Sequence, residues 1–519
     1  MHANMRTHNC VAVRRQTMIL PVMCLCVVLI IATVAAINVS IPQIETSSLH
    51  PSNTQLVWIV DLYVIVFASL LFPAGAIGDR YGRKEALLAG LAAYVAGSLL
   101  AALAGTTPLL LGARAIMGAG AAFIMPTTLA IITETFDGRE RTRAIATWAA
   151  FTAIGGGIGL VVGGAIVTYL SWQHLFWIGA SIGLVALALA AVYTPVTQRR
   201  AGPIDVIGAA LLVVCFAALL SGIIEAPSTG WGRPDNLTAF AISAAALTLF
   251  AWYELRRDEP LLDPRSFRSP VLRTGALGIT ASFFAMFSLY FVNAQFLQYA
   301  KDFNPLVTGL AILPVTISLY VSSLSSARLA EHIGTKTVLI TGMLFIAAGL
   351  CLISLCTPTT PYAWYALALA IVAVGPGLSN PSMSAGIMGS LPRDKAGVGS
   401  AINDTSRELG SALGIAVMGT ILTNEFPRHL PPRILQTVGV ETARLSVAEV
   451  IRRLQLLNPA IQDGSLYWVR LAFAAAVHTG FRISAVLVLV VAAVMFWWYP
   501  GGSLGRGTAR QRAGLIDQT

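Results

Sequence analysis

One feature constrains this chain more than any other: long, nearly uncharged apolar blocks recur from residue 18 to residue 499. Each holds about 20 residues, enough to cross a hydrocarbon core of roughly 30 Å as an α-helix. In lipid every backbone N–H and C=O must be satisfied within the segment, so such blocks become helices. Fourteen spans are read: 18–42, 55–77, 85–104, 108–132, 143–169, 172–193, 204–225, 236–254, 272–297, 306–329, 335–356, 362–384, 398–423 and 478–499. Of the 519 residues, 56% are hydrophobic and 11% charged, where soluble domains carry about a quarter charged. The expected class is an all-α polytopic membrane protein.

Loop charges test the count. With the N-terminus inside, the inner segments hold Arg14 and Arg15, Arg80, Arg83 and Lys84, Arg139, Arg141 and Arg143, and Arg199 and Arg200. Further along they hold Arg256, Arg257, Arg265, Arg268, Arg328, Lys336, Arg393, Lys395, Arg506, Arg510 and Arg512. The short outer loops hold only Arg233 and Lys301. That alternation places both termini in the cytoplasm of a cell (cytoplasmic or inner) membrane. The outer segment 424–477 carries six arginines, but long loops translocate largely regardless of charge. The net charge of +10 thus follows from topology and does not point to nucleic acid. The six cysteines lie in spans or the N-terminal tail, which implies no disulfide framework. The first block is too long for a signal-peptide core and is expected to stay as span 1.

Two inner loops repeat. GAIGDRYGRKEALLAG (75–90) aligns without gaps on ARLAEHIGTKTVLITG (327–342), setting Asp79 on Glu331, Gly82 on Gly334, Lys84 on Lys336 and Gly90 on Gly342. Same-sense repeats mark two halves related by an axis along the membrane normal. The loops stand eight spans apart, so two spans are inserted between six-span halves. The expected organisation is a tail 1–17, a first half 18–196, inserted helices and linkers 197–271, a second half 272–499 and a tail 500–519. Gly75, Gly78, Asp79, Arg80, Gly82, Arg83 and Lys84 form a tight turn whose acid and bases could latch neighbouring helices. SVAE (446–449) reads as a capping box. Val447, Val450, Ile451, Leu454 and Leu457 then follow at helical spacing, suggesting an amphipathic helix on the outer face.

With its surroundings WIVDLYVIVFASLLFPAGAIGDRYGRK (58–84), this loop resembles the signature of the major facilitator superfamily, and of its fourteen-span drug–proton antiporters in particular. INVSIP (37–42), ARAIMGAGAA (113–122), GGGIGLVVGG (155–164), GPIDVIGA (202–209), PLLDPRSFRS (260–269) and AINDTSRELGSALG (401–414) follow in the family's order. The resemblance implies a 6+2+6 major facilitator fold and proton-coupled efflux of amphipathic, often cationic drugs by alternating access. Three positions depart from the pattern. Thr33 stands where the family's first span usually has aspartate, Met117 where glutamine is common, and Leu160 where the antiporters carry proline.

Ionisable groups inside spans are costly and usually functional. Asp61 and Arg114 lie at matching depth, roughly 9 Å in at 1.5 Å per residue, and would form an ion pair that is either permanent or exchanged on protonation. In span 13, Asp404 and Glu408 share a face at i, i+4 spacing, and Arg407 can reach Asp404. That leaves Glu408 the less compensated acid. Taking a carboxylate out of water disfavours its charged form, which suits a group that must bind and release a proton; alternatively all three charges brace the helix. Gly155, Gly159, Gly163 and Gly164 allow close helix approach, expected where the halves slide. Trp58, Tyr63, Trp148, Phe151, Phe287 and Tyr290 are candidates for an aromatic cavity suited to lipophilic cations. No P-loop, zinc-like cluster or nucleophile motif is present, so no enzyme, metal, cofactor or ATP drive is expected. The energy source would be a proton gradient, and the partners small lipophilic cations, protons and the bilayer. Two other readings stay open: a narrow exporter of one metabolite or antibiotic, and a non-transporting membrane sensor.

Overall fold

The computed structural model describes residues 2–500 except 46, 50, 52, 197–204, 259, 304, 446 and 456–458. Arg199, Arg200, Ser446, Leu457 and the arginines of the C-terminal tail lie outside the described residues. Among those described, the chain is predominantly helical, with no strand. Among the described residues fourteen helices are long and apolar enough to cross a membrane, the number read from the sequence. Spans 1–7 are Met18–Ile41, Trp58–Tyr81, Arg83–Ala102, Thr107–Thr135, Gly138–Tyr169, Gln173–Tyr193 and Val206–Pro227. Spans 8–14 are Pro234–Glu254, Pro270–Ala300, Val307–Ile333, Thr335–Ile353, Tyr362–Gly389, Ala396–His429 and Gly464–Trp498.

Helix packing repeats with an offset of eight. In the first half, spans 1·4, 1·5, 1·6, 2·4, 3·4 and 3·6 pack; in the second, 9·12, 9·13, 9·14, 10·12, 11·12 and 11·14. The halves meet through 2·13 and its counterpart 10·5, and through 4·13 and its counterpart 12·5. Spans 7 and 8 pack on one another, and span 7 leans on spans 2 and 13. The aligned loops behave alike as well. Gly82 (φ 115°) and Gly334 (φ 87°) both precede a helix in a backbone region that side chains disfavour. A Cβ on Gly90 would meet the Gly120 carbonyl oxygen at 2.9 Å, and one on Gly342 the Gly375 oxygen at 2.7 Å.

Two expectations change. The helix of span 13 runs to His429 and the last helix begins at Pro459, so most of 424–477 is not loop. Between them stand three short helices, Pro432–Val438, Val440–Leu445 and Val447–Gln455. The last has the anticipated apolar face, with Val447, Val450 and Leu454 buried. That face is buried in the protein's own core, against the last helix and the two short helices before it, rather than left free for a membrane surface. The segment is a helical cap over the ends of spans 13 and 14.

Candidate substrate and coupling site

The end bearing the Gly75–Lys84 loop holds the halves together. Span 13 begins at Ala396, and its first backbone N–H groups have no partner within the helix. Asp79 fills that gap from the other half. The Gly397 N–H donates to both its carboxylate oxygens at 2.9 Å, and the Val398 N–H donates at 3.3 Å. A carboxylate at a helix N-terminus also meets the positive end of the macrodipole. Arg83 fixes the acid, donating from Nε at 2.9 Å, and holds Glu134 at 2.7 Å. A Cβ on Gly75 would lie 2.5 Å from the Gly397 carbonyl oxygen, so glycine on both helices allows the contact. Gly78 packs near Thr127, and Lys84 donates to the Ala191 carbonyl at 2.8 Å. Arg80 is half-buried. The repeat supplies the mate: Glu331 of span 10, aligned with Asp79, meets Arg139 of span 5 at 3.5 Å. Ser323 donates to the Ala146 carbonyl at 3.0 Å nearby. Nothing in the loop sequence pointed to Gly397 as the partner.

Deeper in, the charges of span 13 sort as expected. Arg407 lies 3.6 Å from Asp404, whose Oδ1 also accepts from Asn403 at 3.1 Å. The guanidinium rests over Phe283 of span 9 at 4.7 Å and over Trp148 of span 5 at 5.4 Å. It therefore touches aromatic faces from both halves. Phe283 stacks on Phe287, which meets Tyr290 edge-on at 5.8 Å. Glu408 is half-buried and, among the described residues, has no hydrogen bond or ion pair. Arg407, Trp148, Phe283, Phe287 and Tyr290 thus form one linked set of contacts, and Glu408 follows Arg407 on span 13. Phe151 is half-buried in span 5, and Trp58 is exposed.

The first half differs from expectation. Arg114 is fully buried but forms no ion pair with Asp61. It donates to the carbonyls of Ile59 (2.8 Å) and Val60 (3.4 Å) and lies 4.4 Å over the Tyr63 ring, with Nη1 unpartnered. Backbone oxygens thus take the role foreseen for the acid. Asp61, half-buried, lies within electrostatic reach of Arg114 and of Glu225 on inserted span 7. Tyr63, fully buried like Trp148, packs between spans 2 and 4 under the Arg114 guanidinium, with Glu408 within its electrostatic reach from the other half.

The glycine stripe of span 5 also changes meaning. Cβ atoms on Gly155, Gly159 and Gly163 would run into Val28, Ala32 and Ala36 of span 1, in the same half. Gly164 has open space, its nearest neighbour being Val39 at 4.0 Å. The residue facing the other half is Gly157, 3.2 Å from Thr316 of span 10. Span 13 repeats the stripe: Gly410 and Gly414 press on the carbonyls of Thr280 and Phe284 in span 9, each at 2.3 Å from a built Cβ. The fourfold spacing in ELGSALG was the visible signal for these two. Of the three departures, Thr33 bonds the Leu29 carbonyl and the Tyr94 hydroxyl, Met117 is fully buried, and Leu160 is exposed.

Comparison with known proteins places this geometry. The chain is 36% identical over 392 residues to the Methylenomycin A resistance protein of Streptomyces coelicolor, covering 75% of this chain and 82% of that one. It is 31% identical over 493 residues to the Multidrug efflux pump LfrA of Mycolicibacterium smegmatis, covering 92% and 95%. The solved human organic anion transporter MFSD10 superposes with a TM-score of 0.62 at 14% identity, covering 92% of this chain and 99% of that one, which speaks to fold alone. Residues 23–415 match the profile described as Major Facilitator Superfamily. With that match spanning most of a fourteen-span chain built of two like halves, the protein belongs to the Major Facilitator Superfamily.

Proposed function

We propose that this protein is a proton-coupled exporter of amphipathic, cationic small molecules. It would sit in the cytoplasmic membrane with its basic loops inside, and need no cofactor, metal or ATP. The observation that carries the reading is Glu408. It is an acid inside a span, partly open and unpaired, beside Arg407, which is held by Asp404 and by aromatic rings from both halves. A lipophilic cation suits the faces that Arg407 now covers and the negative charge of Glu408. A proton arriving at Glu408 removes that charge and favours release. Competition of drug and proton for one site couples them, provided each prefers a different state of the carrier. The Asp79 latch closes the basic end in this state, so protons would arrive from the opposite end. Asp61, near Glu225 and Arg114, is a second proton-binding candidate. Drug-efflux relatives support the direction of transport.

The test is proton flux driven by a cationic dye in proteoliposomes. Wild type should exchange the two; Glu408→Gln should bind dye but exchange no protons; Asp404→Asn should be impaired by misplacing Arg407. Full coupled exchange by Glu408→Gln would refute the assignment. A narrow exporter of one antibiotic is favoured by the 36% identity to a methylenomycin A resistance protein. A deletion strain sensitised to one compound across a drug panel would select that reading.

A further inference from the structure

Outside the coupling site, a crevice of about 270 Å³ opens between the inserted pair and the two halves. Its wall is almost wholly apolar: Phe72 of span 2, Phe216 of span 7, Phe250 of span 8, Phe267 of the linker, and Ile402 and Leu409 of span 13. Phe72 and Phe216 stack at 5.8 Å. Span 13 offers it Ile402, Thr405, Ser406 and Leu409, an i, i+3, i+4, i+7 face. At 100° per residue that face is opposite the one bearing Asp404, Arg407 and Glu408, so the crevice is a separate place.

Its lip is cationic. The short helix Pro264–Arg268 gives Pro264 and Phe267 to the wall and leaves Arg265 and Arg268 exposed. Arg265 donates to the Leu255 carbonyl at 3.4 Å, and Arg256 lies 3.9 Å over Trp252. Among the described residues none of these three arginines pairs with a carboxylate, whereas neighbouring Arg257 is taken by Asp205 at 3.9 Å. Asp263 accepts from the Arg265 backbone N–H at 2.9 Å on the same short helix, yet three guanidiniums without a side-chain carboxylate partner still disfavour a cationic substrate. They complement an amphiphile with an apolar chain and an anionic head, because guanidinium binds phosphate through paired N–H groups.

We propose that this crevice is a binding site for an anionic glycerophospholipid of the surrounding leaflet. One acyl chain would lie against Phe72, Phe216 and Leu409, and the phosphate would be held by Arg265 and Arg268. Basic pockets between membrane helices recognise such headgroups. The chain would fill the space between span 7 and the 2·13 contact, so the bound lipid braces that contact from the membrane side.

The full-length transporter is taken up in vesicles of equimolar phosphatidylglycerol and phosphatidylcholine, extracted, and examined for retained lipid by native mass spectrometry. Wild type should retain phosphatidylglycerol in preference. Arg265→Gln with Arg268→Gln should lower that preference about thirtyfold, at roughly 1 kcal/mol per arginine. Ala276→Phe, which fills the crevice, should abolish retention of either lipid. Equal retention of both lipids in wild type, no retained lipid, or an unchanged preference in the double variant would overturn the proposal. So would displacement of the retained lipid by tetraphenylphosphonium, which would make the crevice a substrate site.

Discussion

Gly159 and Gly157 stand two residues apart in span 5 and look at different helices. A Cβ on Gly159 would lie 2.3 Å from the Ala32 backbone oxygen, which cannot move without span 1. Gly159→Ala should therefore cost about 1–3 kcal/mol of stability, read as a lowered melting temperature in detergent. Gly157 meets only the Thr316 side chain, at 3.2 Å, across the interface between halves. Gly157→Ala should leave melting nearly unchanged and slow turnover instead; equal losses of stability in both variants would contradict the assignment of the two faces. The stripe was legible in the sequence because fourfold glycine spacing has one physical use. Its partner was not, because a small-residue face reports that something comes close and not what. Arg114 shows the same limit. Burial with a polar partner was predictable, but the choice between the Asp61 carboxylate and the carbonyls of Ile59 and Val60 depends on side-chain direction.

At the scale of elements, the Asp79 contact behaves as a helix cap supplied in trans. Asp79→Asn keeps the shape but removes the charge that faces the span 13 N-terminus. Hydrogen bonds to charged groups are worth about 1.5–3 kcal/mol, so opening of the basic end should rise by roughly one to two decades. Thiol accessibility of a cysteine at Ser400 would report it, and unchanged accessibility would count against the latch. The helical cap over spans 13 and 14 makes a different prediction. In helix Val447–Gln455, hydrogen bonds from Arg452, reinforced by Arg453, pull the Glu449 carboxyl from its usual 4.5 to about 2. A depressed folded value means the contribution is fully present above the unfolded value near 4.5 and is lost as pH falls toward 2. Hydrogen exchange in this helix should thus be flat from neutral pH to about 5, after correction for intrinsic rates, and rise below about 4; Glu449→Gln should remove that acid step. The helix itself was foreseen from its apolar spacing. The early start of span 14 was not, since Arg470 and the polar run before it dilute a hydropathy window. In the structure Arg470 meets Asp302 at 3.1 Å, an interaction invisible to any local reading.

On the scale of the molecule, the duplicated packing says that spans 2·13 and 10·5 are equivalent closures of one end. A thiol cross-link between Ser323→Cys and Ala146→Cys should hold that end shut and stop transport without abolishing drug binding, with reversal on reduction of a cleavable reagent. Full transport by the linked protein would mean that this end does not open in the cycle. The architecture was readable from residue 18 onward because lipid leaves few options: span number, loop charge and a repeated turn together define two halves and an insert. What those halves do differently was less readable. Matching stripes, Gly155 and Gly159 against Gly410 and Gly414, give both halves one scaffold, yet only span 13 carries charges beside its stripe. That asymmetry has a mechanical side. Span 13 is a single 34-residue rod, pressed on span 9 at Gly410 and Gly414. Glu408 sits beside that fulcrum, while the Asp79 cap grips the far tip at Gly397, roughly 20 Å away at 1.5 Å per residue. A tilt of only about 5° at the fulcrum would sweep the tip by nearly ~2 Å over such an arm. That travel separates hydrogen bonds of 2.9 Å, so under the proposed coupling role of Glu408 a small tilt on its protonation would be enough to release Asp79 at the end of the lever.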